Sequence, residues 1–141
     1  MRSPRKLADE ITKIRNQGFR YVDHPFVLRL RQGKASREEI RAWARQMYLV
    51  LNHTGRSNGY MHANCPNPVV RSRLAGVIAD EELSDRCGSD NHINLHAKFC
   101  RALGITDEEL QREKLIPAVK TGLEWLMETR RNNPPALAVS R

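Results

Sequence analysis

The chain has 141 residues, 40% of them apolar and 28% charged, a composition that excludes a disordered or fibrous protein and suits one folded domain. No apolar run approaches the length of a membrane span, and the opening MRSPRKLADEITKIR has no apolar stretch of a signal peptide, so the expected compartment is the cytoplasm. The 24 Lys and Arg against 16 Asp and Glu give a net charge of +8, which favours anionic substrates or partners; with no nucleic-acid motif or aromatic interleaving, nucleic acid is not expected.

In chain order, Ser3-Pro4 reads as the start of a first helix, with Leu7, Ile11 and Ile14 at helical spacing and Gly18 as its stop. His24-Pro25 opens a short segment from Phe26 to Arg31, closed by Gly33, with His24 capping or packing at the turn. Ser36-Arg37-Glu38-Glu39 is a capping box, in which the serine caps and Glu39 reaches back. A long helix is expected from Arg37 to about Met61, weakened in its second half by Gly55 and Gly59. Cys65-Pro66-Asn67-Pro68 breaks the chain and starts a helix running to about Leu83. After a loop containing Gly88, Asp90 or Asn91 caps a helix through Leu103, which Gly104 stops. Thr106-Asp107-Glu108-Glu109 is a second capping box, and a last helix runs from Leu115 to Arg131. The expectation is an all-α fold of about six helices, one domain over residues 1–131, with a flexible tail over 132–141.

The densest polar cluster is Asp80, Glu81, Glu82, Asp85, His92 and His96, spread over a helix end, a loop and the next helix start. Carboxylates on one helix and histidines on the next can converge on iron, manganese or zinc. A solvated helix end followed by a loop explains the same residues. His92, His96 and Cys100 share one helix face, and a zinc site there would need a fourth ligand such as Cys87. Arg37, Arg41 and Arg45 form either an anion-binding stripe or a solvated face. Cys65, Cys87 and Cys100 are odd in number and include no CxxC pair, as free thiols in a reducing compartment would be.

Several segments, taken together and in order, carry a family resemblance. They are His24-Pro25-Phe26, Gly33, Ser36-Arg37-Glu38-Glu39-Ile40, Trp43, Gln46-Met47-Tyr48, His62-Ala63-Asn64-Cys65-Pro66, Ile78-Ala79-Asp80-Glu81-Glu82, Asn91-His92 and Arg101-Ala102-Leu103-Gly104. The series resembles the pyrroloquinoline-quinone synthase (PqqC)-like branch of the haem-oxygenase-fold superfamily, which also holds the TenA thiaminases and the haem-oxygenase-like dimetal oxidases. The resemblance implies a helical bundle and a cofactor-biosynthetic oxidoreductase that uses dioxygen on a small aromatic or amine substrate. In the dimetal branch it implies iron, dinuclear in relatives, with Glu81 and His92 as ligands and Glu82 as a substitute for the first. Asp85 and His96, with Glu82, would then orient the ligands. Quinone synthase proper has a histidine at the place of Glu81, so the glutamate favours the metal-using branch. The loop from Leu83 to Asn91 is longer than in several relatives, and His96 stands where they usually carry tryptophan.

The resemblance also implies a chain that lacks the family's C-terminal helices, where a His-x-x-x-Asp-x-x-His cluster supplies the remaining ligands. The expectation is therefore half a site, with activity lost or dependent on the missing part. Two other functions stay open: a non-catalytic helical interaction module, and a TenA-like hydrolase of a thiamin derivative, for which Cys65 and Cys100 are poorly placed. A homodimer or other self-association is expected, because Leu115, Ile116, Val119, Leu123, Leu126 and Met127 would face helices that are absent.

Overall fold

The computed structural model describes residues 6, 9–10, 12–13, 20–83 and 89–133. These contain helices and no strand, in line with the all-α expectation. The described positions between 6 and 13 are helical; the start at Ser3-Pro4 and the stop at Gly18 lie outside the described residues. The same holds for Asp85, Cys87, Gly88 and the tail from residue 134. None of the described helices is long and apolar enough to cross a membrane.

The chain divides into two compact units, residues 1–40 and 41–141. In the first, a 3-10 turn over Tyr21–Asp23 leads into α1 (Pro25–Arg31). His24 Nδ1 accepts the Phe26 N–H at 3.1 Å, and Pro25 occupies the first turn, where its missing N–H costs nothing. Gly33, at φ +68°, provides the left-handed turn that ends the segment. The capping box then forms as expected: Ser36 Oγ accepts the Glu39 N–H at 3.1 Å, and Glu39 Oε2 accepts the Ser36 N–H at 2.8 Å. Arg29 of α1 donates to the other oxygen of Glu39.

That box starts α2 (Arg37–Leu51), which carries the chain into the second unit. The single helix expected to Met61 is instead two. α2 stops at Leu51, and α3 runs over Thr54–Ala63. At the break Asn52 Nδ2 donates to the Tyr48 carbonyl at 2.8 Å, competing with the backbone ladder, and the His53 N–H turns back to the Val50 carbonyl at 3.0 Å. A Cβ at Gly55, just past the break, would run into the Glu82 carboxylate, which would have to shift to admit it.

Asn67 caps α4 (Pro68–Glu82), its Oδ1 accepting from Val69 and Val70. Asn91, not Asp90, caps α5 (His92–Ala102), and Gly104 at φ +77° follows its end. Both bonds of the capping box at Thr106 and Glu109 start α6 (Asp107–Arg112), and α7 (Pro117–Asn132) opens on a first-turn proline. The core of the second unit is the cluster of Ala44, Cys100, Ile105 and Leu110, with Trp43, Tyr48 and Leu103 packed beside it. α3 packs on both α4 and α7, and α4 on α5. The α4–α5 pairing carries the polar cluster.

Candidate functional site

Glu81 lies in the last turn of α4, and His92 is the first residue of α5. Asn91 holds the two ends together. Its Oδ1 accepts the Asn94 N–H at 2.9 Å, which starts α5, while its Nδ2 donates to the Glu82 carbonyl at 3.2 Å, at the end of α4. Asp90 braces the same corner, accepting from the Asn91 N–H, from Asn94 Nδ2 at 2.7 Å and from Lys98 at 3.1 Å. The Asn94 amide, then Lys98, hold its carboxyl below the ordinary range.

The result is a 2.9 Å contact between Glu81 Oε2 and His92 Nδ1. The carboxylate side chain is only 13% exposed, while the imidazole is 41% exposed and leaves its other face to solvent. The donor set is one hard oxygen and one borderline nitrogen, which suits ferrous iron, manganese or zinc. At 2.9 Å the contact itself is that of an N–H···O hydrogen bond from the imidazole to the carboxylate. The residues fit a metal as a pair only: among the described residues no group of three or more His, Cys, Asp or Glu is placed to hold an ion.

The other residues singled out from the sequence fall elsewhere. Glu82, next to Glu81, lays its carboxylate against Gly55 of α3. His96 Nε2 donates to the Ala44 carbonyl of α2 at 2.8 Å, and its ring packs edge-on to Trp43. With His92 it lines a shallow cleft of about 310 Å³, otherwise apolar with Leu51, Leu95 and Phe99. Asp85 lies outside the described residues.

The zinc reading of His92, His96 and Cys100 does not form. Cys100 is fully buried, its Sγ is 3.7 Å from the same Ala44 carbonyl, and burial pushes its thiol up. Cys65 is buried as well, which places neither described thiol as an accessible nucleophile. Two of the three arginines of the stripe make structural contacts. Arg41 donates to the Leu103 carbonyl at 2.6 Å, at the end of α5, and Arg45 pairs with Glu113 at 2.9 Å.

One organising residue gives no local signal in the sequence. Gln46 of α2 donates to Glu113 and to the Lys114 carbonyl, both at 3.0 Å, and accepts the Ile116 N–H at 3.0 Å. It thereby fixes the whole connection between α6 and α7. A lone amide at the edge of an apolar stripe is the only hint of it.

The chain is similar over most of its length to known proteins. The profile of the TENA/THI-4/PQQC family matches residues 11–140. A 4-aminobenzoate synthase of Chlamydia muridarum is 29% identical over 111 residues, covering 79% of this chain and 45% of the relative. A pyrroloquinoline-quinone synthase of Cronobacter sakazakii is 27% identical over 107 residues, covering 75% and 42%. One of Pseudomonas entomophila is 23% identical over 124 residues, covering 86% and 49%. The chain thus spans a little under half the length of the curated relatives it matches. With a family profile covering nearly all of its sequence and helices throughout its described residues, the chain belongs to the TENA/THI-4/PQQC family.

Proposed function

We propose that this chain is part of an iron-containing, oxygen-dependent oxidoreductase of cofactor biosynthesis, acting on a small aromatic or amine metabolite, and that it contributes metal ligands. The observation that supports this most is the Glu81–His92 contact, two metal-ligating side chains from successive helices at 2.9 Å. The activities for which the relatives are named, 4-aminobenzoate synthase and pyrroloquinoline-quinone synthase, favour an oxidase-type reaction. Iron, when bound, supplies the one-electron chemistry by which dioxygen reacts with closed-shell organic molecules.

The chain's own residues hold and shape this pair. Asn91 fixes the spacing of the two ligands from behind, through the Glu82 carbonyl. Burial of Glu81 keeps competing water from one side of its carboxylate, and the exposed face of His92 stays open to incoming groups. The cleft beside His92, with Leu51, Leu95 and Phe99, offers an apolar seat for a flat substrate. His96, anchored to Ala44, stiffens one wall of it.

Two protein ligands bind a divalent ion weakly, with micromolar or poorer affinity and on the order of one ion per chain. Anaerobic titration with ferrous iron, followed by elemental analysis, should show this for the wild-type chain and not for the Glu81→Ala, His92→Ala double variant. Equal iron in both overturns the assignment. Oxygen uptake by this chain with iron and reductant should not exceed the free-iron control, because among the described residues only two ligating side chains meet and catalytic groups act as a unit.

A further inference from the structure

A second cleft, of about 600 Å³, opens among α2, α3 and α7, with residues other than those around Glu81 and His92. Its apolar surface comes from Leu49 of α2, Leu115 ahead of α7, and Leu123 and Met127 of α7. Its volume lies within the range of small-molecule sites, and its lining, mostly apolar with a few charges, is of the same kind.

The charges at this cleft are unevenly satisfied. Glu113 is turned to Arg45 and Gln46, and Glu124 stands 3.9 Å from Lys120. Two further cations line the cleft, Arg56 from the first turn of α3 and Lys114 from the connection fixed by Gln46. Among the described residues neither side chain has a hydrogen-bond or ion-pair partner. Two uncompensated cations beside an apolar wall attract a ligand with the opposite pattern, an anionic head on an apolar body.

We propose that this cleft binds a small carboxylic acid with an apolar, ring-sized body, its carboxylate held by Arg56 and Lys114 and its body laid on Leu123 and Met127. The cleft shares no lining residue with the Glu81–His92 pair and does not depend on iron. Arg56 supplies a planar fork that can take both carboxylate oxygens, and Lys114 supplies a mobile point charge.

The test uses the full chain, 2-naphthoate as probe and 2-naphthamide as its neutral isostere, followed by NMR of the Leu and Met methyl groups and by calorimetry. The acid should bind saturably, one per chain, with Kd of about 0.1–1 mM, the range that ligand efficiency allows for so small a molecule. The amide should bind about tenfold more weakly, because it lacks the charge-assisted bonds. The ring-current shifts should fall on Leu123 and Met127. In the Arg56→Gln, Lys114→Gln double variant, changes at two exposed cations, the acid should weaken to the level of the amide and the amide should be unaffected. The Glu81→Ala, His92→Ala variant should bind the acid as the wild type does. Equal binding of acid and amide by the wild type, shifts centred on other methyls, or an acid affinity indifferent to the loss of both cations would overturn the proposal.

Discussion

Gly55 and Glu82 are far apart in sequence yet share one space, and that sharing decides what a single methyl group does. Alanine at position 55 gains helix propensity, up to about 1 kcal/mol, but its Cβ displaces the Glu82 carboxylate. The two effects oppose, so Gly55→Ala alone is expected to change stability by less than about 1 kcal/mol, and with Glu82→Ala added the same change should become clearly more favourable. Urea melts of the four proteins of this cycle measure it, and additivity would show that the two residues do not meet. Two other carboxylates make a statement about pH. Glu39 is held below its ordinary 4.5, first by the Ser36 backbone N–H and then by Arg29. Asp90 is held below its ordinary 3.8, first by Asn94 and then by Lys98. A depressed carboxyl contributes stability above its unfolded value, and that stability goes as the pH falls through the folded value. Carbon-detected titration should find both groups still ionised below those ordinary values. Asn94→Ala should return Asp90 toward 3.8; a midpoint unmoved by that change would refute the cause given.

At the level of the helix, the corner between α4 and α5 depends on one amide side chain. Asn91→Ala removes the cap of α5 and the tie to the Glu82 carbonyl together, and is expected to cost about 1–2 kcal/mol. Asn91→Asp keeps the cap and loses the tie. It should therefore recover most of the stability while loosening the Glu81–His92 contact, seen as a change in the His92 ring nitrogen shifts. Identical His92 spectra in Asn91→Asp and wild type would show that the tie does not set the spacing. Such caps were legible in the sequence because they are local chemistry: Ser36 with Glu39, Asn67, and Thr106 with Glu109 satisfy donors within three residues. The division of α2 from α3 was not legible. The apolar periodicity runs through Asn52 and His53, and the pressure on Gly55 comes from another helix. Gln46 was illegible for the same reason, since all its partners lie in the 113–116 connection. The closeness of Glu81 and His92 came from family resemblance, not spacing, because an intervening loop does not by itself say that its ends meet.

Taken whole, the chain covers a little under half of its curated relatives and leaves large apolar side chains in solvent. Ile116 is 51% exposed and Trp125 48%, while Leu123 of the same helix is buried. α4 carries Val69, Val70 and Val77 exposed and has no buried residue, although its apolar residues lie on more than one face. Hiding such surface contributes about 25 cal/mol per Å². The chain is therefore expected to self-associate, with a light-scattering mass that rises with concentration through the micromolar range and falls in an Ile116→Glu, Trp125→Glu variant. A monomer at all concentrations would contradict this.

The interruption at Asn52 and His53 also sorts two neighbouring carboxylates. A continuous helix would have no free end at Gly55. Ending α2 and restarting at Thr54 exposes the first peptide dipoles of α3, with their positive ends outward, at the place where the Glu82 carboxylate rests. The Glu82 carboxylate rests against Gly55, and the Glu81 carboxylate against His92. A kink that reads as a flaw in a long helix thus sends adjacent side chains to different partners, so that one glutamate serves the packing of α3 on α4 and the other meets α5.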